Sequence, residues 1–242
     1  MTMALFIVFC LSLMFALGML FARLSEGMER VENNITALSL GAMIGVAFLD
    51  LVPEILEEAE GTSYIWAAIA VVLGIVILKL LDRFVPEHEG KEESKEGNLA
   101  HIGIMSAVAI MLHNIVEGMT VYSVDSASLK GGLVLALSVA LHNIPMGAFI
   151  YSTMKSEKRN MRNLVLLSAP LSTFLGGVLM MLLSSFLSPS LFAILMSLAL
   201  GMVLYIIFWE LIPSVLHTKD WKTTVPSLVL GLLLVLVASF LE

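Results

Sequence analysis

Eight long apolar runs limit what this chain can fold into more than any other feature of its sequence. Each run is about 20 residues long, the length that an α-helix needs to cross the hydrocarbon core of a bilayer. Lipid offers no partners for backbone N–H and C=O groups, so such a run forms a helix that satisfies them internally. The sequence therefore predicts an all-α integral membrane protein with eight transmembrane helices, over residues 3–22, 35–56, 64–84, 100–123, 131–153, 164–187, 190–213 and 224–241.

The composition supports this class. Of the 242 residues, 59% are hydrophobic and 14% are charged, whereas a soluble domain has about 45–50% apolar and about 25% charged residues. The connections between the runs are short, so we expect a single transmembrane domain over residues 1–242. The first run lacks the basic segment of a signal peptide and is long enough to span, so we expect a retained helix. The single cysteine, Cys10, lies in that run, which excludes an intramolecular disulfide.

The basic residues are distributed unevenly between the two sides of the membrane. With eight spans, all of the 13 lysines and arginines except Lys130 fall on one side. Cytoplasmic loops carry the excess of Lys and Arg. We therefore expect both termini to be extracytoplasmic. An odd number of spans would break this sorting.

One polar motif occurs twice inside the apolar runs. Residues 111–118 read MLHNIVEG and residues 140–147 read ALHNIPMG, 29 positions later. On a helix, His113 and Glu117 share one face because they are four residues apart, and Asn114 lies beside them. His142 and Asn143 repeat this arrangement in the fifth run. Ionisable groups are costly to bury in a membrane, so each is a functional hypothesis.

The donor set favours a metal site. Two imidazoles and one carboxylate suit Zn²⁺ and its first-row neighbours, whereas Ca²⁺ takes about six to eight oxygens. A single intramembrane histidine is more often an interhelical hydrogen-bonding group than a ligand, but two histidines in repeated frames favour metal. A metallohydrolase would use His-Glu-x-x-His, and Asn114 occupies the glutamate position. We therefore expect no enzyme and no cofactor, and the short basic loops give no sign of nucleic-acid binding.

A second repeat relates the second span to the seventh. Residues 39–53 (SLGAMIGVAFLDLVP) align with residues 199–213 (ALGMVLYIIFWELIP) at an offset of 160. Under the predicted topology these helices run in opposite directions, so residues 1–84 and 164–241 form an inverted pair of three-helix repeats around a central helix pair, 100–153. Asp50 and Glu210 occupy matching positions, one near each membrane surface. Each acid either caps a helix end broken by the following proline, or gates and relays a cation.

Two polar segments connect the spans near these acids. Residues 54–60 read EILEEAE, which indicates either a solvated helix end or a negative mouth that raises the local cation concentration. The loop 85–99 is rich in Glu and Lys and contains His88. We interpret it as a polar linker, with weak metal capture by His88 as the alternative.

These motifs resemble those of the ZIP (Zrt/Irt-like) family of metal transporters, particularly its prokaryotic zinc-uptake and GufA-like branch. The resemblance covers nearly the whole chain and rests on both His-Asn motifs and on the acidic-Leu-aliphatic-Pro segments of spans two and seven. It implies a three-plus-two-plus-three helix bundle, often a homodimer, that brings a divalent metal, most often zinc, across the inner (plasma) membrane into the cytoplasm. It also implies that spans one, four, five and six move as a unit against the others. In the family, spans four and five supply the transport site, commonly a two-metal centre, and the matching residues here are His113, Asn114, Glu117, His142 and Asn143.

The sequence departs from the family pattern at three positions. Val116 replaces the usual proline, and Met146 and Ala169 stand where the family has glutamates. Two divalent ions sharing Glu117 would leave an uncompensated charge in a low dielectric, so we expect one bound ion. Met146 either packs or donates a soft thioether. The alternative function is a ZIP-like metal-binding membrane protein of altered specificity, or one that does not transport and serves as a sensor or structural partner.

Overall fold

Helical spans make up almost all of the chain that the structure describes. The computed structural model covers residues 3–61, 63–84, 95–155, 157–217 and 220–240, so the loop residues 85–94, with His88, lie outside the described part. Eight helices within these ranges are long and apolar enough to cross a membrane, as predicted. Numbered in chain order, the spans are Met3–Leu24 (span 1), Glu29–Gly45 continued by Val46–Leu51 and Val52–Glu58 (span 2), Ser63–Asp82 (span 3), Lys95–Ala127 (span 4), Leu129–Met154 (span 5), Arg159–Leu183 (span 6), Pro189–Tyr205 continued by Ile206–Leu211 and Ile212–Leu216 (span 7), and Trp221–Ser239 (span 8).

Serine caps fix where spans 5 and 7 begin. The Ser128 hydroxyl accepts a hydrogen bond from the Gly131 N–H at 3.3 Å, and the Ser188 hydroxyl accepts one from the Leu191 N–H at 3.2 Å. Such caps satisfy backbone donors that the first helical turn leaves free. Pro189 follows in the first turn, where its missing N–H does no harm. The short connection at residues 188–190 therefore separates two spans, as the count of eight requires.

Close helix pairs build the bundle, and glycines permit them. A Cβ atom at Gly118 would clash with the carbonyl oxygen of Thr173, and one at Gly176 would clash with that of Ile115, so spans 4 and 6 touch backbone to backbone. Lipid gives helices no hydrophobic reason to associate, so close packing through small residues holds them together. Equivalent contacts join spans 1 and 5, 2 and 8, and 3 and 7, through Gly18 and Gly147, Gly41 and Gly231, and Gly74 and Gly201.

These pairs combine into two packing groups. Spans 1, 4, 5 and 6 pack on one another, and spans 2, 3, 7 and 8 form the second group. The predicted inverted pair of repeats sets span 1 against span 6, span 2 against span 7 and span 3 against span 8. Under that prediction, the close pairs 2–8 and 7–3 are equivalent. Both His-Asn motifs lie in the first group, along its boundary with spans 2 and 7 of the second.

Spans 2 and 7 each contain a π-helical turn at the same place in the repeat. The turns are Val46–Leu51 and Ile206–Leu211, separated by the offset of 160 that the sequences show. Pro53 and Pro213 follow them, and each helix continues past its proline. Proline lacks the N–H of the usual i→i−4 hydrogen bond, and a π turn shifts the local bonds to i−5. The prediction that these prolines break the helices is therefore wrong.

Asp50 and Glu210 lie inside these π turns rather than at helix ends. The interpretation of the two acids as caps of broken helices therefore does not describe this fold. Single π turns within α-helices occur frequently at functional sites, so a functional role of each acid depends on the residues that it contacts.

Candidate metal site

A cavity of about 670 Å³ extends into the bundle between spans 2, 4 and 5. Acidic residues of the predicted mouth segment line its outer part, and the polar residues of both His-Asn motifs line its inner part. From the helix ends inward, its polar and charged lining includes Glu57, Lys130, Ser128, Glu54, Thr120, Asp50, Glu117, His113 and His142. The cavity therefore connects one end of the bundle with the predicted ligands.

Three predicted ligands converge at the inner end of this cavity. Nε2 of His142 lies 2.5 Å from Oε1 of Glu117, and Nε2 of His113 lies 3.4 Å from the same oxygen. The side chains are buried, with exposed fractions of 2% for His113, 8% for Glu117 and 3% for His142. One donor atom of each lies within 4.8 Å of the other two. The i, i+4 spacing and the repeated frame thus bring three metal-type donors to one point.

The two asparagines are anchored through their amide nitrogens. Nδ2 of Asn143 donates to Oε2 of Glu117 at 3.1 Å, and Nδ2 of Asn114 donates to the carbonyl oxygen of Ala169 in span 6 at 3.1 Å. Both side chains are fully buried, and neither Oδ1 has a hydrogen-bond partner among the described residues. Each amide therefore keeps a neutral oxygen with lone pairs to offer.

Asp50 of span 2 lies beside His142 of the candidate site. Its Oδ2 atom is 3.9 Å from Nδ1 of His142, whose Nε2 atom contacts Glu117. This distance is an electrostatic contact rather than a hydrogen bond. A carboxylate beside the far nitrogen of an imidazole helps to orient the ring and to select its tautomer. The π turn of span 2 holds Asp50 beside span 5, and its position near one membrane surface stays a prediction.

A second group of metal-type donors lies at the opposite end of the bundle. Nε2 of His101 is 2.7 Å from Oδ1 of Asp82, and a donor atom of Glu210 lies within 4.8 Å of both. Glu210 was predicted from the sequence, whereas Asp82 and His101 were missed. The available signal is their position at the two ends of the connection between spans 3 and 4, where an acid and a histidine come together when those helices pack.

The positions where the family has carboxylates are apolar and buried. Met146 and Ala169 are both fully buried, and both belong to the main hydrophobic cluster of the core. Val116 is buried in the same cluster. The packing interpretation of Met146 is therefore consistent with its surroundings, and Glu117 is the one carboxylate in the donor group of spans 4 and 5 within the described part of the chain.

Comparison with known proteins identifies the family. The profile of the ZIP zinc transporters matches residues 86–241. The chain belongs to the ZIP family. The zinc transporter ZupT of Corynebacterium aurimucosum is 30% identical over 81% of this chain and 80% of its own length. ZupT of Chlorobium limicola is 31% identical over 80% of each chain, and ZupT of Chlorobium chlorochromatii is 27% identical over 95% of this chain and 98% of its own.

Membership in the ZIP family confirms the resemblance drawn from the two His-Asn motifs and the acidic-Leu-aliphatic-Pro segments. The relatives are bacterial, in agreement with the prokaryotic branch that those motifs indicate. The eight apolar spans confirm the predicted fold class. In a zinc transporter family zinc is the cargo rather than a resident cofactor.

Proposed function

We propose that this ZIP protein carries zinc, or a related divalent transition-metal ion, across the membrane into the cytoplasm through a site on spans 4 and 5. The observation that supports the proposal is the convergence of His113, Glu117 and His142 at the inner end of an open cavity. The relatives named zinc transporters support zinc as the first cargo to test.

The donor chemistry agrees with zinc. Zn²⁺ binds imidazole nitrogen and carboxylate oxygen, and three protein ligands leave its fourth position open. Water, or the free amide oxygen of Asn114 or Asn143, can occupy that position. Incomplete coordination suits a site that must release its ion. We assign no catalytic activity, because the residue after His113 is a neutral asparagine tied to Ala169 and not a base.

The direction of transport follows from charge. The cavity opens at the end that carries Glu54, Glu57 and Lys130, and Lys130 is the one basic residue on that side under the predicted topology. By the positive-inside rule this end is extracytoplasmic, as are both termini. Acidic residues around a low-dielectric mouth raise the local cation concentration. We therefore infer uptake from outside, in the inner (plasma) membrane of a prokaryotic cell. A homodimer stays a prediction of the family resemblance.

The two packing groups offer a way to alternate access. The first group carries His113, Glu117 and His142, while the second contributes Asp50, Glu54 and Glu57 to the cavity wall. A displacement of the first group along the second would close this cavity and bring the ligands towards the other end of the bundle. Glycine contacts hold the helices together mainly within the groups, so the boundary between the groups is the natural place for movement.

A sensor or structural protein is the second candidate. Met146 and Ala169 are the observations that favour it, because both put a neutral, buried side chain where the family has carboxylates. A protein of this kind would bind zinc without carrying it.

Zinc flux separates the two candidates. We expect proteoliposomes containing the purified full-length protein to accumulate radioactive zinc well above protein-free vesicles, because the site has both an approach from one end and an exchangeable coordination position. His217→Gln, a change at an exposed histidine outside the cavity lining, serves as the matched control and should transport like the parent. Stoichiometric zinc binding without accumulation inside the vesicles would assign the protein to the sensor class.

We propose that Asp50 and Glu210 pass the ion along at the two ends of its path. Asp50 faces His142 from the cavity wall, and Glu210 lies with Asp82 and His101 at the far end. Asp50→Asn and Glu210→Gln should each lower the zinc uptake rate by roughly tenfold, the low end of what a focused charge contributes. Equilibrium zinc binding should persist in Glu210→Gln. Initial uptake rates test this against His217→Gln, at an exposed position outside the cavity lining, and rates equal to that control would remove the relay role.

A further inference from the structure

His101 links the two packing groups at the end of the bundle opposite the cavity. It lies on span 4, in the group that carries the ligands, whereas Asp82 and Glu210 lie on spans 3 and 7 of the other group. Nε2 of His101 and Oδ1 of Asp82 are 2.7 Å apart, and Glu210 completes the cluster. One imidazole is therefore held by the Asp82 carboxylate across the boundary between the groups, with the Glu210 carboxylate within 4.8 Å.

The cluster is partly shielded from solvent. The side chains of His101 and Asp82 are 25% and 36% exposed, and Glu210 is 9% exposed. A fully exposed pair of this kind contributes little, but a hydrogen bond in partial shelter, with a second carboxylate beside it, resists separation more strongly. The carboxylates of Asp82 and Glu210 would repel each other without a cationic or hydrogen-bond-donating group near both, and His101 supplies that group,.

Span 4 connects this cluster mechanically to the ligands. His101 precedes His113 by 12 residues on one unbroken helix, a distance of about 18 Å along its axis. Any movement of the first group that exposes His113 to the far end must carry His101 away from Asp82 and Glu210. The contact is therefore made in the state with the open cavity, and it has to break in the opposite state.

We propose that His101, Asp82 and Glu210 form a latch that keeps the far end of the bundle closed while the cavity is open. The inference rests on the proposed movement of the two groups. In the latched state the imidazole that is hydrogen-bonded to Asp82 also lies within 4.8 Å of a carboxylate oxygen of Glu210, so the approach of a passing ion to Glu210 requires His101 to leave. The latch thus couples opening of the far end to the relay by Glu210.

The test needs a reporter that becomes accessible only when the far end opens. Ser106 is fully buried on span 4 between His101 and His113 and, seven residues before His113, lies on the same helix face,. Cys10 is the single native cysteine, so Ser106→Cys in a Cys10→Ser background gives one reporter thiol. Its labelling rate with a water-soluble thiol reagent, in metal-free detergent solution, measures the population of the far-open state.

His101→Ala and Asp82→Asn should each raise this rate by roughly threefold to tenfold, the scale of one partly sheltered hydrogen bond. The double variant, His101→Ala with Asp82→Asn, should have a labelling rate close to that of either single variant. The exchange of the pair, His101→Asp with Asp82→His, should return the labelling rate towards that of the parent. His217→Gln should leave it unchanged. Unchanged labelling in both single variants, an equal rise in His217→Gln, or no recovery on exchange would overturn the latch. Because labelling is measured without metal, these outcomes are independent of whether the protein transports zinc.

Discussion

Glu117→Ala is expected to abolish zinc uptake, with a loss of at least about a hundredfold. Replacing a residue that only supports a metal ligand costs up to about a hundredfold in metal affinity or activity, so replacing a ligand itself should cost at least that much. Glu117 is the one anion in the donor group of spans 4 and 5, and it contacts both histidines and Asn143. Without it, the donor group would hold only two imidazoles and neutral amides, and the nearby carboxylate of Asp50 alone would leave part of the charge of a divalent ion uncompensated in a low dielectric,. Initial uptake of radioactive zinc by proteoliposomes measures the loss.

Two further variants separate charge from packing. Glu117→Gln keeps the size and shape of the side chain, removes the charge and replaces one of the two acceptor oxygens with an NH2 donor, so we expect it to lose nearly as much uptake as Glu117→Ala. His217→Gln, at an exposed position outside the cavity lining, should behave like the parent. His113→Ala and His142→Ala should also lose most uptake, while each protein still elutes as a single folded species. Uptake at the parent rate by Glu117→Ala would refute the proposed site.

The spans and the grouping of His113, Glu117 and His142 were predictable because each depends on local spacing. Eight apolar runs of spanning length determine eight helices, and the interval of four residues puts His113 and Glu117 on one face. The repeated motif then identifies His142 as the equivalent residue of the next span. None of these steps requires knowing which distant helix packs against which.

The interhelical contacts were not predictable in the same way. The sequence places Asn114 and Asn143 near the ligands, but it does not show that Ala169 and Glu117 accept their amide hydrogens. The contact of Asp50 with His142 depends on span 2 packing beside span 5 and on a π turn. No residue type signals a π turn, since the bonds that define it are backbone bonds. His101 and Asp82 were missed because only the packing of spans 3, 4 and 7 brings them to Glu210.

Met146→Glu combined with Ala169→Glu is expected to raise the number of tightly bound zinc ions from one to two per chain. Met146 follows His142 by four residues, as Glu117 follows His113, so a carboxylate there would lie on the ligand face of span 5,. Ala169 accepts the hydrogen bond of Asn114 through its backbone, which places position 169 next to span 4. Both new acids would thus enter the region of the site.

The charges decide the stoichiometry. In the unmodified protein, Glu117 with Asp50 beside His142 supplies two negative charges, which balance one divalent ion. A second ion would add two uncompensated positive charges in a buried site. The two introduced glutamates would compensate that second ion, and zinc in turn would stabilise two buried acids that are otherwise destabilising. We therefore expect added zinc to raise the melting temperature of the double variant more than that of the parent.

Metal analysis of purified, zinc-dialysed protein measures the stoichiometry directly. Met146→Leu combined with Ala169→Ser is the matched control, because it changes both buried positions without adding charge, and it should still bind one ion. Two ions in this control and in the parent would mean that the free amide oxygens of Asn114 and Asn143, or bound water, replace the missing carboxylates. That result would refute the charge argument for a single ion. The expected loss of uptake in Glu117→Ala would remain, because even a two-metal site on spans 4 and 5 depends on its shared carboxylate.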